Sequence, residues 1–154
     1  MKRLSYFLPA LIFIYYSLHL VSCTPAACFE ETNAFLKASF YINSTKQKLA
    51  PDSVTLSGLA QTDKIYEKAT GLQPALFPLN ASSSTSTFII RINGISDTIE
   101  FHYSSFPHLI SKECGYSVYH TLDAHTFSQN NIDTILIINR NITTVNEENI
   151  RIFY

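Results

Sequence analysis

Apolar and polar residues alternate along most of the chain with a period of two, the spacing that is typical of β-strands. Residues 34–42 predict a half-buried strand, because every second side chain on one face is apolar. The apolar side chains of that face are Leu36, Ala38, Phe40 and Ile42. Further strands are predicted at residues 53–58, 64–69, 87–92, 97–103, 116–122, 132–139 and 149–154.

The Asn-Gly dipeptide at positions 93–94 is the strongest local signal. This pair readily takes positive φ at both central positions of a type I′ turn, so it predicts a two-residue hairpin. Such a turn would pair Ile92 with Ile95, and it would also pair Phe88 with Ile99. Both pairs then fall on one apolar face, so the turn chemistry and the alternation agree on the register.

Two segments limit how the strands can be arranged. Prolines at positions 74 and 78 remove ladder donors, so residues 73–80 can form only edge or irregular backbone. Residues 135–138 are apolar without interruption, which predicts a central strand covered on both sides. With no helical pattern among them, these elements predict an all-β fold. We expect an antiparallel two-sheet sandwich of about seven or eight strands, of the immunoglobulin-like or Greek-key type.

The N-terminal segment has a different pattern. Basic residues at positions 2–3 precede an apolar run at residues 4–21, and Leu20-Val21-Ser22-Cys23 resembles a bacterial lipobox. A peptidase that cuts before Cys23 needs a small, uncharged residue ahead of the cut and a thiol directly after it, because the thiol carries the diacylglyceryl group. We therefore predict lipidation at Cys23, with acyl chains such as palmitate.

An uncleaved membrane anchor and an ordinary secretory signal are the alternatives, since about 18 apolar residues is the lower edge of a bilayer span. Pro9 and His19 disfavour the anchor, and the nearest small-residue pair for an ordinary cut, Ala26-Ala27, lies beyond the apolar run. The predicted organisation is a lipoprotein signal peptide at residues 1–22, a lipidated N-terminus and short tether at residues 23–33, and a single β-sandwich domain at residues 34–154.

Charge narrows the classes of partner. The chain has 11 Lys and Arg against 12 Asp and Glu, and loss of Lys2 and Arg3 changes this to 9 against 12, a net charge near −3. No basic stripe remains, so we expect no nucleic-acid partner.

The residues after the lipidated cysteine indicate a location. Thr24 rather than Asp follows this cysteine, and Glu30-Glu31 lie too far from it to form an acidic surface-export signal. We therefore expect an outer-membrane lipid anchor and a domain that faces the periplasm.

Cys28 and Cys114 remain once Cys23 is assigned to lipid. The alternatives are a disulfide, which an envelope compartment permits, and two buried thiols that act as small apolar groups. We predict the disulfide, because unpaired thiols are usually avoided outside the cytoplasm. A bridged Cys28 would leave only residues 24–27 between the fold and the lipid, a reach of roughly 17 Å. The domain would then sit close to the membrane.

Histidine, carboxylate and thiol side chains are the candidates for chemistry, since together they can bind zinc and a cysteine with a histidine can form an acyl-transfer pair. The residues considered are His108, Glu113, Cys114, His120 and His125, with His108, Glu113 and His120 as the alternative metal set. Their spacing matches no metal or hydrolase motif. His120 also shares strand parity with Val118 and Leu122, which favours a buried, hydrogen-bonded histidine. We expect no metal, no cofactor and no catalytic site.

Three Asp-Ser/Thr-hydrophobic triplets occur at residues 52–54, 97–99 and 133–135. They resemble an O-glycosylation pattern of bacterial cell-envelope proteins, and each lies at a predicted strand start near an exposed turn. Ser53, Thr98 and Thr134 are therefore candidate O-glycosylation sites. The alternative explanation is that Asp followed by Ser or Thr simply opens a strand.

Several motifs are spread over the chain after Cys23. The most specific is Pro-His-x-x-Ser-x-Glu-Cys-Gly at residues 107–115. The others are Cys28-Phe29-Glu30-Glu31, Phe77-Pro78-Leu79-Asn80, Asp97-Thr98-Ile99-x-Phe101-x-Tyr103 and Glu148-Asn149-Ile150. Together they resemble an uncharacterised lipoprotein family of Bacteroidales, a domain of unknown function. The resemblance implies a small, β-rich envelope lipoprotein, and it implies no particular activity.

The predicted function is that of a lipid-anchored cell-envelope protein acting as a non-enzymatic binding or assembly module, with an outer-membrane protein as partner. The alternatives are a glycan- or peptide-binding lipoprotein and a metal-dependent hydrolase that uses the region of His108 and Glu113. A large apolar surface patch would favour the protein partner, an exposed aromatic cleft the glycan or peptide, and converging His and Glu side chains the hydrolase. The sequence names no small-molecule ligand.

Overall fold

The computed structural model describes residues 27–154. The predicted signal peptide and Cys23 lie outside the described residues. The strands are β1 (Leu36–Tyr41), β2 (Val54–Gly58), β3 (Lys64–Ala69), β4 (Ala75–Phe77), β5 (Thr85–Ile92), β6 (Ile95–Ser111), β7 (Gly115–Phe127), β8 (Thr134–Ile137), β9 (Asn141–Ile142) and β10 (Ile150–Phe153). Residues 27–154 contain no helix that is long and apolar enough to cross a membrane.

The strands form two sheets that pack face to face, so the predicted all-β sandwich is confirmed. The smaller sheet has the order β4-β1-β10-β8, and the larger sheet has the order β3-β2-β5-β6-β7-β9. Each of the predicted strands is present, and the count reaches ten because β4 and β9 are added. These two strands are three and two residues long, too short for alternation to reveal.

One strand pair departs from the antiparallel expectation. β1 and β10 run parallel, with Ala38 opposite Ile150 and Phe40 opposite Ile152. The described strands otherwise pair antiparallel. A parallel pair needs a long connection between its strands. β1 and β10 meet this need because they are the first and last strands of the described residues.

Aromatic rings from both sheets meet in the core. Phe77 of the smaller sheet packs against Phe88 and Phe101 of the larger sheet, with ring centroids 5.2 and 5.5 Å apart and nearly perpendicular planes. This edge-to-face arrangement is favourable for aromatic pairs. Full burial of each such side chain contributes roughly 1.5–3 kcal/mol to stability. The two sheets are therefore held together by a continuous apolar layer.

β5 and β6 form the hairpin that the Asn-Gly pair predicts. Both predicted pairs, Ile92 with Ile95 and Phe88 with Ile99, are present, so the register is confirmed. The turn residues at positions 93 and 94 have φ of 50° and 92°, as a type I′ turn requires. Local turn chemistry thus determines the pairing of the two strands at the centre of the larger sheet.

The apolar run at residues 135–138 does not form a central strand, so this prediction is wrong. β8 lies at the edge of the smaller sheet, and Leu136 is half exposed on its outer face. β1 takes a central place instead, although Lys37 and Ser39 are polar. The segment after β9 covers this side, because Lys37 Nζ donates to the Thr143 carbonyl at 3.2 Å. Alternation along one strand cannot reveal a cover supplied by a distant segment.

Candidate functional site

β6 and β7 extend beyond the rest of the larger sheet. The predicted strands at residues 97–103 and 116–122 leave a loop between them, and this predicted loop is wrong, because β6 spans Ile95–Ser111. β5 pairs with β6 only as far as His102, and within the described residues the remainder of β6 pairs with β7 alone. Pro107 lies opposite Val118 in this two-stranded part, where β6 has a free edge that tolerates a missing N–H. We call residues 104–119 the hairpin extension.

A disulfide between Cys28 and Cys114 closes the tip of the hairpin extension. Cys114 lies in the turn between β6 and β7, and the Cα atoms of the two cysteines are 4.8 Å apart, within the usual range for disulfides. The predicted bridge is therefore confirmed. The Ser117 hydroxyl also donates to the Thr32 carbonyl. Both contacts attach the N-terminal segment to the hairpin extension.

Apolar side chains are exposed around this bridge. Leu109 and Tyr116 lie opposite each other in the β6–β7 register, and both are exposed. Phe29 directly follows Cys28 in the chain and is 93% exposed. Phe106 is also exposed, on the opposite face of the hairpin extension. Apolar groups gathered at one end of a domain mark a contact surface more often than singly scattered ones do.

The residues of the alternative metal set do not converge. His108 is exposed, and its ring stacks on Tyr119 with centroids 4.2 Å apart. Glu113 is exposed in the turn between β6 and β7. His120 is buried, and it points to the face opposite Tyr119 because adjacent residues of a strand alternate. Within residues 27–154, no group of three His, Cys, Asp or Glu side chains is placed to hold a metal ion.

His120 is a core residue, as its strand parity predicts. Its Nδ1 lies 2.8 Å from the Ser105 hydroxyl, and its ring packs edge-on against Tyr103. Burial lowers the pKa of His120 below its usual value, because the charged ring would lose its hydration. His125 lies farther along β7, and burial is likewise the main cause that lowers its pKa. Cys114 cannot act as a ligand or nucleophile while it is in the disulfide.

The lowered pKa of His120 predicts a pH dependence of stability. The folded state favours the neutral ring more strongly than the unfolded state does. The contribution of His120 to the free energy of unfolding is therefore fully present above the unfolded pKa of about 6.5, and it is lost as the pH falls through the lower pKa of the folded state. Urea unfolding between pH 8 and pH 5 should show this slope. His120→Asn, which can still bond to Ser105, should reduce the slope. His108→Asn removes an exposed ring and should retain it, and equal slopes in both variants would contradict the assignment.

Asp97 is a buried carboxylate, and its structural role is not predicted by the sequence patterns that contain it. It organises the loop before β8 by accepting hydrogen bonds of 2.7–3.0 Å. Its donors are the Ser128 hydroxyl and the backbone amides of Asn130, Asn131 and Ile132. The alternation of the strand indicates this burial, because it places Asp97 on the same face as the apolar Ile99.

The candidate O-glycosylation residues differ in exposure. Thr98 and Thr134 are exposed, whereas Ser53 is half-buried at the start of β2. Thr134 Oγ1 also donates to the carbonyl of Asp133 at 2.8 Å. An attached glycan therefore has more room at the two threonines than at the serine. Modification of all three residues stays a prediction.

An open groove of about 300 Å³ lies beside the hairpin extension. Its walls are the N-terminal segment, the connection between β4 and β5, and the first half of β7. His120 is the titratable side chain in its lining, and Ser117 and Asn33 add neutral polar groups. This lining offers hydrogen bonds and apolar contact, and it lacks the paired acid and base that hydrolysis needs.

Comparison with known proteins identifies a family. A family model described as "Family of unknown function (DUF6452)" matches residues 53–154, which is more than half of the chain. The chain belongs to this family. The part of this DUF6452 member that matches runs from β2 to β10, so it includes Cys114 and excludes Cys28. No curated protein and no solved structure matched the chain.

Proposed function

We propose that this DUF6452 member is a lipid-anchored cell-envelope protein that acts as a non-enzymatic binding or assembly module. The observation that carries the proposal is the disulfide between Cys28 and Cys114. Disulfides persist in oxidising compartments such as the periplasm and are rare in the cytosol. The bridge therefore supports an envelope address. The lipobox-like residues before Cys23 and the resemblance to lipoproteins of Bacteroidales support the same address.

The anchor would hold the domain close to the bilayer. Residues 24–27 are all that separate the lipidated Cys23 from the bridged Cys28, a span of roughly 17 Å when extended. Thr24 in place of an acidic residue favours the outer membrane, with the domain on the periplasmic side. In this arrangement the hairpin extension lies at the membrane-facing end of the sandwich.

A protein partner in the envelope is supported by the edge of the smaller sheet. Leu136 and Ile138 are half exposed there, and β8 has a free edge within the described residues. Exposed apolar edge strands are otherwise avoided because they invite pairing. A photo-crosslinker at Leu136 should therefore attach to another envelope protein in intact cells. The same crosslinker at the exposed Glu67 is the control, and equal labelling from both positions would contradict a specific partner at β8.

Glycan or peptide binding is a second candidate, and the aromatic face of the hairpin extension favours it. Phe106, His108 and Tyr119 lie together on this face, with the ring centroids of Phe106 and Tyr119 6.3 Å apart. The three rings supply contact area, and the Tyr119 hydroxyl and the His108 imidazole nitrogens add polar groups. Binding of envelope polysaccharide that is lost in Tyr119→Ala and kept in Leu136→Ala would favour this candidate over the protein partner.

Replacement of Cys23 tests the envelope anchor. We expect Cys23→Ala to remain an unprocessed precursor that retains its apolar segment, because the peptidase requires the acylated thiol. Cell fractionation and the mass of the protein measure this. The double variant Cys28→Ala/Cys114→Ala is the control, since it loses two thiols and should still be processed and recovered with the outer membrane. Normal processing of Cys23→Ala would contradict the anchor.

A further inference from the structure

We propose that the tip of the hairpin extension and the adjoining N-terminal segment contact the lipid bilayer directly, through the side chains of Leu109, Tyr116 and Phe29. This inference rests on the proposed lipid anchor and adds a second point of membrane contact. The exposed tip then lies in the interfacial region of a phospholipid bilayer. An anchor alone leaves the orientation of the domain free, whereas a second contact restricts it.

The position of the bridge is the first argument. The chain outside the described residues ends at residue 26, and Cys28 is tied to the tip by a disulfide with a Cα separation of 4.8 Å. The apolar run and Cys23 precede this point directly in the sequence. If the protein is anchored to the membrane through Cys23, only the short tether of residues 24–27 separates the membrane from Cys28 and from the turn that contains Cys114.

The chemistry of the tip is the second argument. Tyr116 is 72% exposed and Phe29 is 93% exposed, and tyrosine and phenylalanine are suited to the boundary between acyl chains and water. Lys112 in the turn can extend its ammonium group to lipid phosphates while its stem stays apolar. Glu30 and Glu113 are exposed at the same end and oppose deep entry. The expected depth is therefore that of the headgroup boundary.

A single tryptophan reports this contact, because the chain has no natural tryptophan. Leu109→Trp places the probe at the tip, and Ile95→Trp is the matched control at the other end of β6. The two aliphatic side chains are 49% and 46% exposed, and the positions are roughly 45 Å apart along an extended strand. The full chain is purified from membranes and reconstituted into phosphatidylethanolamine–phosphatidylglycerol vesicles with brominated acyl chains.

We expect the fluorescence of Leu109→Trp to be quenched, more strongly by bromines near the headgroup than by bromines near the methyl ends, and that of Ile95→Trp to be unchanged. Equal quenching of the two tryptophans in acylated, vesicle-bound protein would overturn the proposed contact and would leave the lipid anchor intact. Protein that lacks acyl chains and stays out of the vesicles would instead overturn the proposed function. A blue shift of Leu109→Trp in native membranes but not in pure lipid would also overturn the inference, because a protein would then cover the tip.

Discussion

Replacing Asp97 with alanine is expected to lower the free energy of unfolding by about 3–4 kcal/mol. The carboxylate is buried, and its removal leaves the backbone amides of Asn130, Asn131 and Ile132 without their acceptor. The same bonds hold Ile132 in the core, so its burial is weakened too. Urea unfolding followed by circular dichroism measures the change.

Two further variants separate the carboxylate from simple loss of volume. Asp97→Asn keeps one acceptor oxygen and should be less destabilising than Asp97→Ala. Asp133→Ala removes an exposed carboxylate and should change stability by less than about 0.5 kcal/mol. Similar losses in Asp97→Ala and Asp133→Ala would contradict the assigned role of Asp97.

Asp97 also predicts a loss of stability at acid pH. Burial alone would raise its pKa, but the hydrogen bonds from Ser128 and from the amides of residues 130–132 outweigh burial and lower the pKa. A lowered carboxyl pKa gives stability that is present above the unfolded value of about 3.9 and is lost as the pH falls through the folded value. Asp97→Asn should lack this part of the acid transition.

Breaking the disulfide is expected to lower the free energy of unfolding by about 2–4 kcal/mol. The bridged residues are 86 positions apart, and closing such a loop removes at most about 4.5 kcal/mol of chain entropy from the unfolded state. In the proposed lipid-anchored protein, release of Cys28 would also lengthen the tether between the lipid and the sandwich. Denaturant unfolding of Cys28→Ser/Cys114→Ser against the oxidised protein measures the loss.

Treatment of the protein with reductant provides an independent test of the same bridge. Reductant should destabilise the protein with native cysteines and should leave Cys28→Ser/Cys114→Ser unchanged, because that variant has no bridge to reduce. Peptide mapping without reductant should recover Cys28 and Cys114 in one linked peptide. Free thiols at both positions would contradict the bridge and the close docking that depends on it.

Local signals in the sequence predict much of this fold. Alternation locates β1, β2 and β3, and the Asn-Gly turn determines the β5–β6 register, because both depend on neighbouring residues alone. The pairing of Cys28 with Cys114 is predicted once Cys23 is assigned to lipid, because these two cysteines then remain as one pair in the expected envelope compartment. The strands and the turn depend on local interactions, whereas the disulfide is predicted because each of the two cysteines then has a single remaining partner.

Features that depend on distant segments are the ones that alternation misses. β8 is an edge strand and β1 is central. Residues after β9 contact Lys37 of β1, and this contact joins positions too far apart for any one window of sequence to contain both. No strand is predicted at Pro107, yet a strand with one free edge accommodates a proline at this position. The triplet at residues 97–99 predicts either an O-glycosylation site or a strand start, and neither interpretation reveals that a loop some 30 residues later satisfies the Asp97 carboxylate.

The lipid anchor is the central claim, and the mass of the N-terminal peptide tests it most directly. Protein purified from its native membranes should begin at Cys23, and that residue should carry a diacylglyceryl group. Mass spectrometry of peptides from the detergent-solubilised, protease-digested protein measures both the N-terminal residue and its acylation. An unmodified Cys23 inside a longer peptide that still contains residues 4–21 would contradict the anchor, the envelope orientation and the membrane contact built on them.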